Sequence, residues 1–257
     1  MRIVNEFPNR LRREARRLQR ETPDAALPAA QPLIDALRTS SRRRSAPRAR
    51  AWHAHIETER RRLRASHQPL SAAGGATATL GEVTRGASVP PRQATLLFDL
   101  AASLGARRCL ELGTGVGISG AYLAAAMETG TGGRLVSLEG HRDRADVARA
   151  TWRRLSLEDA EVVVGRFERT LPGVLDAPPF DLVHLDGHHD RDATLDYIER
   201  IRATCRPGTL LVVDDIDWSP GMRVAWSVLQ TRLADSTISD LGRVGLIRLA
   251  ATDAGRG

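Results

Sequence analysis

The chain has 257 residues, 42% of them apolar, and sets 38 arginines and no lysine against 31 acids for a formal net charge of +7. That length suits one sizeable α/β core with an appendage, and no apolar run approaches the 18 residues of a membrane span. The start, MRIVNEFPNRLRRE, lacks the apolar stretch of a secretory signal, and Cys109 and Cys205 lie far apart as single buried thiols rather than a disulfide or metal pair, so the expected location is the cytoplasm.

Residues 1–68 hold 17 Arg against seven acids, whereas the remaining residues hold 21 against 24. Leucine spacing predicts helices over 9–20, 30–39 and 49–65 in this basic segment. The stretch 71–79, SAAGGATAT, reads as a joint, so the expected division is a helical extension at 1–68 and a main domain at 69–257. A helix follows over 91–104. Strands of Val, Leu and Ile are then predicted at 107–112, 134–138, 161–164, 180–185 and 209–214, with helices between them at 118–128, 142–155, 168–175 and 190–204. Continuous apolar strands alternating with helices imply a parallel sheet covered on both faces. After a helix at 220–233, segments 236–241 and 244–249 are joined only by Gly242 and Arg243, a link so short that they must pair antiparallel.

The most informative stretch is CLELGTGVGISGAYLA, Cys109 to Ala124. It reads as strand, glycine-rich turn and helix, the order in which α/β domains bind nucleotides. Gly115, Gly117 and Gly120 also satisfy G-x-G-x-x-G, which leaves a nicotinamide dinucleotide open, as does a plain strand-to-helix turn. Glu111, two residues ahead of Gly113, disfavours a pyrophosphate at the helix N-terminus. It favours a cationic ligand such as the sulfonium and ammonium of S-adenosylmethionine.

Further acids stand at the later strand ends. Glu139, followed by Gly140, can accept from ribose hydroxyls. Gly165 with Arg166 and Phe167 can border an adenine. FDLVHLDGHHDRD puts Asp186 at a strand tip with His188 and His189 beyond it, and LLVVDDIDW puts Asp214 and Asp215 at the next tip. Carboxylates converging there repel one another unless a cation intervenes, and hard oxygen donors suit Mg²⁺ or a similar divalent ion. Helix capping is the alternative for each aspartate taken singly.

Through LELGTGVGIS, LDGHHDR and GTLLVVDDI, residues 85–250 resemble class I S-adenosylmethionine-dependent methyltransferases, and among them the cation-dependent catechol-type O-methyltransferases. The resemblance implies a Rossmann-like sheet of seven strands, mostly parallel, ending in an antiparallel hairpin. It further implies that Glu111, Gly113, Gly117 and Ser119 hold the methionine end of the cofactor, with Thr114, Gly115, Asp186 and His188 also among the cofactor-binding residues. Glu139 and Gly140 would take the ribose, and Gly165, Arg166 and Phe167 the adenine. Asp186, Asp214 and Asp215 fall on the metal-binding positions, the last of which is usually Asn in the catechol type. His189 stands where that group has a catalytic lysine, with the adjacent His188 as the alternative base, and histidine can take a proton near neutral pH. The implied partner is a small-molecule hydroxyl acceptor, whether phenol, sugar or natural-product intermediate. The basic segment would serve as a lid over the acceptor or as an arm for a homodimer. Two rival readings are an RNA methyltransferase anchored by that segment and a non-catalytic partner-binding protein that keeps the fold.

Overall fold

The computed structural model describes residues 6–42, 46–71, 77–130 and 132–250. Three helices lead the chain: α1 (Glu6–Glu21), α2 (Leu27–Arg42) and α3 (Pro47–Arg64). Where the sequence suggested only a joint, a two-stranded hairpin forms from β1 (Pro69–Ser71) and β2 (Thr77–Thr79), and α4 (Leu80–Ala87) follows. Thr79 and Glu82 make a reciprocal capping box at the start of α4. Then comes α5 (Pro91–Leu104), which starts on a proline and stops at Gly105 in the left-handed conformation.

The sheet proper is built from β3 (Arg108–Leu112), β4 (Arg134–Glu139), β5 (Ala160–Val164), β6 (Leu182–Leu185), β7 (Leu210–Val213), β8 (Thr237–Asp240) and β9 (Gly245–Arg248). Its order is β5-β4-β3-β6-β7-β9-β8. Neighbours are parallel through β7, and β9 is antiparallel to both β7 and β8. Linking helices are α6 (Ile118–Glu128), α7 (Arg142–Arg154), α8 (Phe167–Leu175), α9 (Arg191–Thr204) and α10 (Pro220–Arg232). This is the mostly parallel seven-stranded sheet with a terminal hairpin that the sequence predicts. The chain winds from β3 outward to β5 and then returns to place β6 on the other side of β3. That reversal leaves a crevice beyond the carboxyl ends of β3 and β6, where open α/β sheets bind ligands.

The boundary near residue 68 is not a break in the core. Leu11 and Leu18 of α1 and Leu33, Ile34 and Leu37 of α2 belong to the same apolar cluster as Leu96 and Leu100 of α5 and Leu123 of α6. Many arginines here have local duties. Arg17 pairs with Glu14 and Glu21 and donates to the Ile238 carbonyl at 2.7 Å, and Arg10 donates to that of Leu241. Helix α1 thus covers free carbonyls at the sheet's edge strand, a position that otherwise invites pairing with another chain. Such use of arginine lends the nucleic-acid reading no support. No described helix is long and apolar enough to cross a membrane.

Candidate active site

The cleft at the switch point measures about 650 Å³. Its floor is the turn after β3. Gly113, at φ +105°, and Thr114 both donate their backbone N–H to the Leu138 carbonyl. A side chain at 113 would collide with the backbone of Asp186, so only glycine lets the turn lie against the tip of β6. Gly113, Thr114, Gly115 and Ser119 line the cleft. Gly117, at φ +87°, instead turns the chain into α6, and its carbonyl accepts from the Trp152 indole.

Glu139 ends β4 and lines the cleft beside Gly140. One of its oxygens accepts from Gly115 N–H at 2.8 Å and the other from His141 N–H at 2.9 Å, which ties the glycine turn to the second strand. Arg166 and Phe167 form the far wall. Gly165 stands behind it, giving its N–H to the Glu139 carbonyl. Phe167 meets Tyr197 edge-on, and the Tyr197 hydroxyl donates to Glu168 at 2.7 Å. A single hydroxyl proton spent on Glu168 leaves His188 Nδ1, 2.9 Å away, as the donor to that oxygen.

Glu111 stands apart from that lining, with its side chain fully buried. It accepts from the Ser137 hydroxyl at 2.6 Å and lies 3.4 Å from His184 Nδ1, and Ser137 is in turn hydrogen-bonded to Thr114. Glu111 sits in a central strand covered on both faces, and from there it braces the turn. Carboxylates that do face the cleft include Glu139, Asp186 and Asp215.

Parallel pairing of β6 with β7 brings Asp186 and the Asp214–Asp215 pair to the same end of the sheet. Donor atoms of His184, Asp186 and Asp214 lie within 4.8 Å of one another, and so do those of Asp186, His189 and Asp215. Asp186 is common to both sets. Asp214 is 1% exposed: its Oδ1 accepts from Asp215 N–H, while its Oδ2 has no partner. Burial first, and Asp214 second, push the Asp186 carboxyl well above the usual carboxylate range, and the same two causes raise Asp215. A site that resists ionisation of its own acids is one that a cation would stabilise.

His189 Nε2 is 3.6 Å from Asp186 Oδ1 and 3.7 Å from Asp215 Oδ2. Burial lowers its pKa and outweighs the nearby charges of Asp215 and Asp214, which act the other way. His188, His189 and Asp215 all have positive φ, at 69°, 25° and 55°, a conformation that L residues adopt at a cost and that clusters at functional sites.

Three contributors are missing from the sequence reading. Arg243, in the β8–β9 turn, reaches across to Asp215. Segment 85–90 forms one wall of the cleft and is held by the buried Arg60 of α3, which donates to the Val89 carbonyl at 2.7 Å. Glu168 and Tyr197 fix His188. Trp218 stands at the cleft with 69% of its surface exposed. No described residue of 1–68 lines the cleft itself.

Residues 110–216 match a family described as a methyltransferase domain. The chain is 38% identical over 149 residues to catechol O-methyltransferase of Mycobacterium tuberculosis, which covers 58% of this chain and 65% of that protein. It is 34% identical over 132 residues to catechol O-methyltransferase of Niastella koreensis, covering 50% of this chain and 58% of that one. The chain therefore spans about three fifths of these relatives' length. Among solved structures, the O-methyltransferase TomG of Streptomyces achromogenes, in complex with SAM, superposes with a TM-score of 0.55 at 28% identity, covering 65% of this chain and 82% of that one. Cofactor-bound Rv0187 from MTB gives 0.56 at 26% identity, covering 86% and 98%.

Proposed function

We propose that this chain, like the relatives it resembles, is a class I S-adenosylmethionine-dependent methyltransferase of the catechol O-methyltransferase type, and that it methylates a hydroxyl of a small molecule beside a divalent cation. One observation carries the cation: Asp186 converges with Asp214 and with Asp215 at the cleft, and Asp214 keeps a buried oxygen without a partner. An unpaired buried carboxylate oxygen is costly unless a cation meets it. The oxygen donors of these aspartates suit Mg²⁺ or a similar hard ion.

The methyl donor fits the other half of the cleft. Gly113, Thr114, Gly115 and Ser119 would hold its methionine end, Glu139 and Gly140 its ribose, and Arg166, Phe167 and His188 its adenine. Gly117, Gly165 and Glu111 act from behind that lining and keep it in shape. When bound, the ion would lower the pKa of an acceptor hydroxyl and orient it. His189, beside both Asp186 and Asp215, is the base that takes the hydroxyl proton. Asp186 belongs to the cation set and also borders the donor side, so it fixes one half of the cleft against the other. Holding acceptor oxygen, methyl and sulfur in line is the main catalytic task, and Trp218 supplies a flat apolar wall for a phenolic ring.

The test is methyl transfer from labelled S-adenosylmethionine to a panel of catechols, other phenols and sugars. We expect a methyl ether from at least one phenol. Activity should fall by about a hundredfold or more in excess chelator and return with Mg²⁺ or Mn²⁺. Undiminished activity in chelator would overturn the cation, and transfer to no hydroxyl would overturn the acceptor class.

A further inference from the structure

Arg243 is remote in sequence from every other residue of the acid cluster. Its turn is docked over the end of β7: Ile216 N–H donates to the Arg243 carbonyl, and Leu241 N–H donates to that of Val244 across the turn. From there the guanidinium Nε lies 2.7 Å from Asp215 Oδ1 and 3.4 Å from Asp214 Oδ1. Both of these contacts are to Oδ1 atoms. Asp214 Oδ2 has no partner, and Asp215 Oδ2 faces His189. Gly242, at φ +92°, supplies the conformation the turn requires, whereas the next position of such a turn accepts most residues. Backbone geometry therefore does not explain an arginine here, but charge does. Asp214 and Asp215 put two adjacent carboxylates at the tip of β7, and one positive charge sits directly against them.

We propose that Arg243 is a tethered counter-cation of the divalent-ion site, a positioning residue that balances Asp215. It offsets part of the carboxylate repulsion when the ion is away and opposes the ion electrostatically when it binds. The proposal rests on the cation site argued above. It has a definite sign, because two cations drawing on the same carboxylates weaken each other.

Mn²⁺ affinity, read by electron paramagnetic resonance of the free ion, tests it in the wild type, Arg243→Gln, Asp215→Asn and the double variant. Arg243→Gln should bind Mn²⁺ about tenfold more tightly than wild type, and Asp215→Asn at least about tenfold more weakly. With both charges gone, the double variant should return to within about threefold of wild type. Arg243→Lys keeps the charge and should keep the affinity. In chelator, Arg243→Gln should melt below wild type and gain more from saturating Mn²⁺. Titration with S-adenosylhomocysteine reports in every variant that the cleft has folded. Unchanged or weaker Mn²⁺ binding in Arg243→Gln, or a double variant as weak as Asp215→Asn, would overturn the proposal. If wild type and Arg243→Gln both ignore millimolar Mn²⁺, the ion site and this inference fall together, while intact S-adenosylhomocysteine binding would leave the methyltransferase reading standing. Binding confined to Arg243→Gln would uphold the opposition in its strongest form.

Discussion

Asp186→Asn is expected to lower kcat for methyl transfer by about a thousandfold or more, the scale of losing a metal ligand that also orients the acceptor. Affinity for S-adenosylhomocysteine should stay within about tenfold, because the glycine turn and Glu139 are untouched. The same variant should be more stable than wild type in chelator at pH 8. Burial and Asp214 raise the Asp186 pKa in the folded chain above its unfolded value. The folded state therefore binds more protons, and stability falls as pH rises through that window. An uncharged Asn is exempt from this loss. Single-turnover kinetics and a melting curve at two pH values check both halves. A kcat within tenfold of wild type, or a melting temperature that drops at pH 8, would contradict the role given to Asp186.

Gly113→Ala should be the most damaging substitution in the glycine turn. The backbone there is at φ +105°, and an added Cβ would overlap the carbonyl oxygen of Asp186 and lie 2.7 Å from its carbonyl carbon. Backbone cannot step aside as a flexible side chain does, and the strained φ adds to the collision. We expect about 3–5 kcal/mol of destabilisation and at least a hundredfold loss of S-adenosylhomocysteine affinity. Gly173→Ala in α8 is the control. Nothing lies within 4 Å of the added methyl, and its φ is ordinary, so the better helix former should be neutral or stabilising by up to about 1 kcal/mol. Chemical denaturation of both variants gives the comparison. Equal behaviour would contradict the claim that the turn is locked against β6.

The parallel strands were legible because each is a short run of Val, Leu or Ile bounded by polar residues. The terminal hairpin was legible because two residues cannot carry a parallel crossover. The positions of Glu139, Asp186, His189 and Asp215 follow from standing at strand ends, where alternation has stopped and side chains meet the crevice. Glu111 defeated that logic. It lies one residue inside β3, and a strand buried on both faces offers no alternation to say which way an acid points. The β1–β2 hairpin and α4 were hidden by the composition of SAAGGATAT, although the Thr79-x-x-Glu82 capping box was present in the sequence as a signal for the helix. Arg243 was visible only as a turn residue. Its partners lie 28 and 29 positions earlier, and nothing local marks a charge that is matched through the sheet. The basic segment showed its amphipathic helices but not their destination, since a leucine stripe says that a face is buried and not against what.

The central claim is that the cleft beyond β3 and β6 takes S-adenosylmethionine rather than a dinucleotide. Calorimetric titration of the purified chain with S-adenosylhomocysteine tests it most directly. One site with a Kd below about 100 µM is expected, with no heat from NAD. Silence toward S-adenosylhomocysteine at millimolar concentration, or saturable binding of NAD in its place, would contradict it.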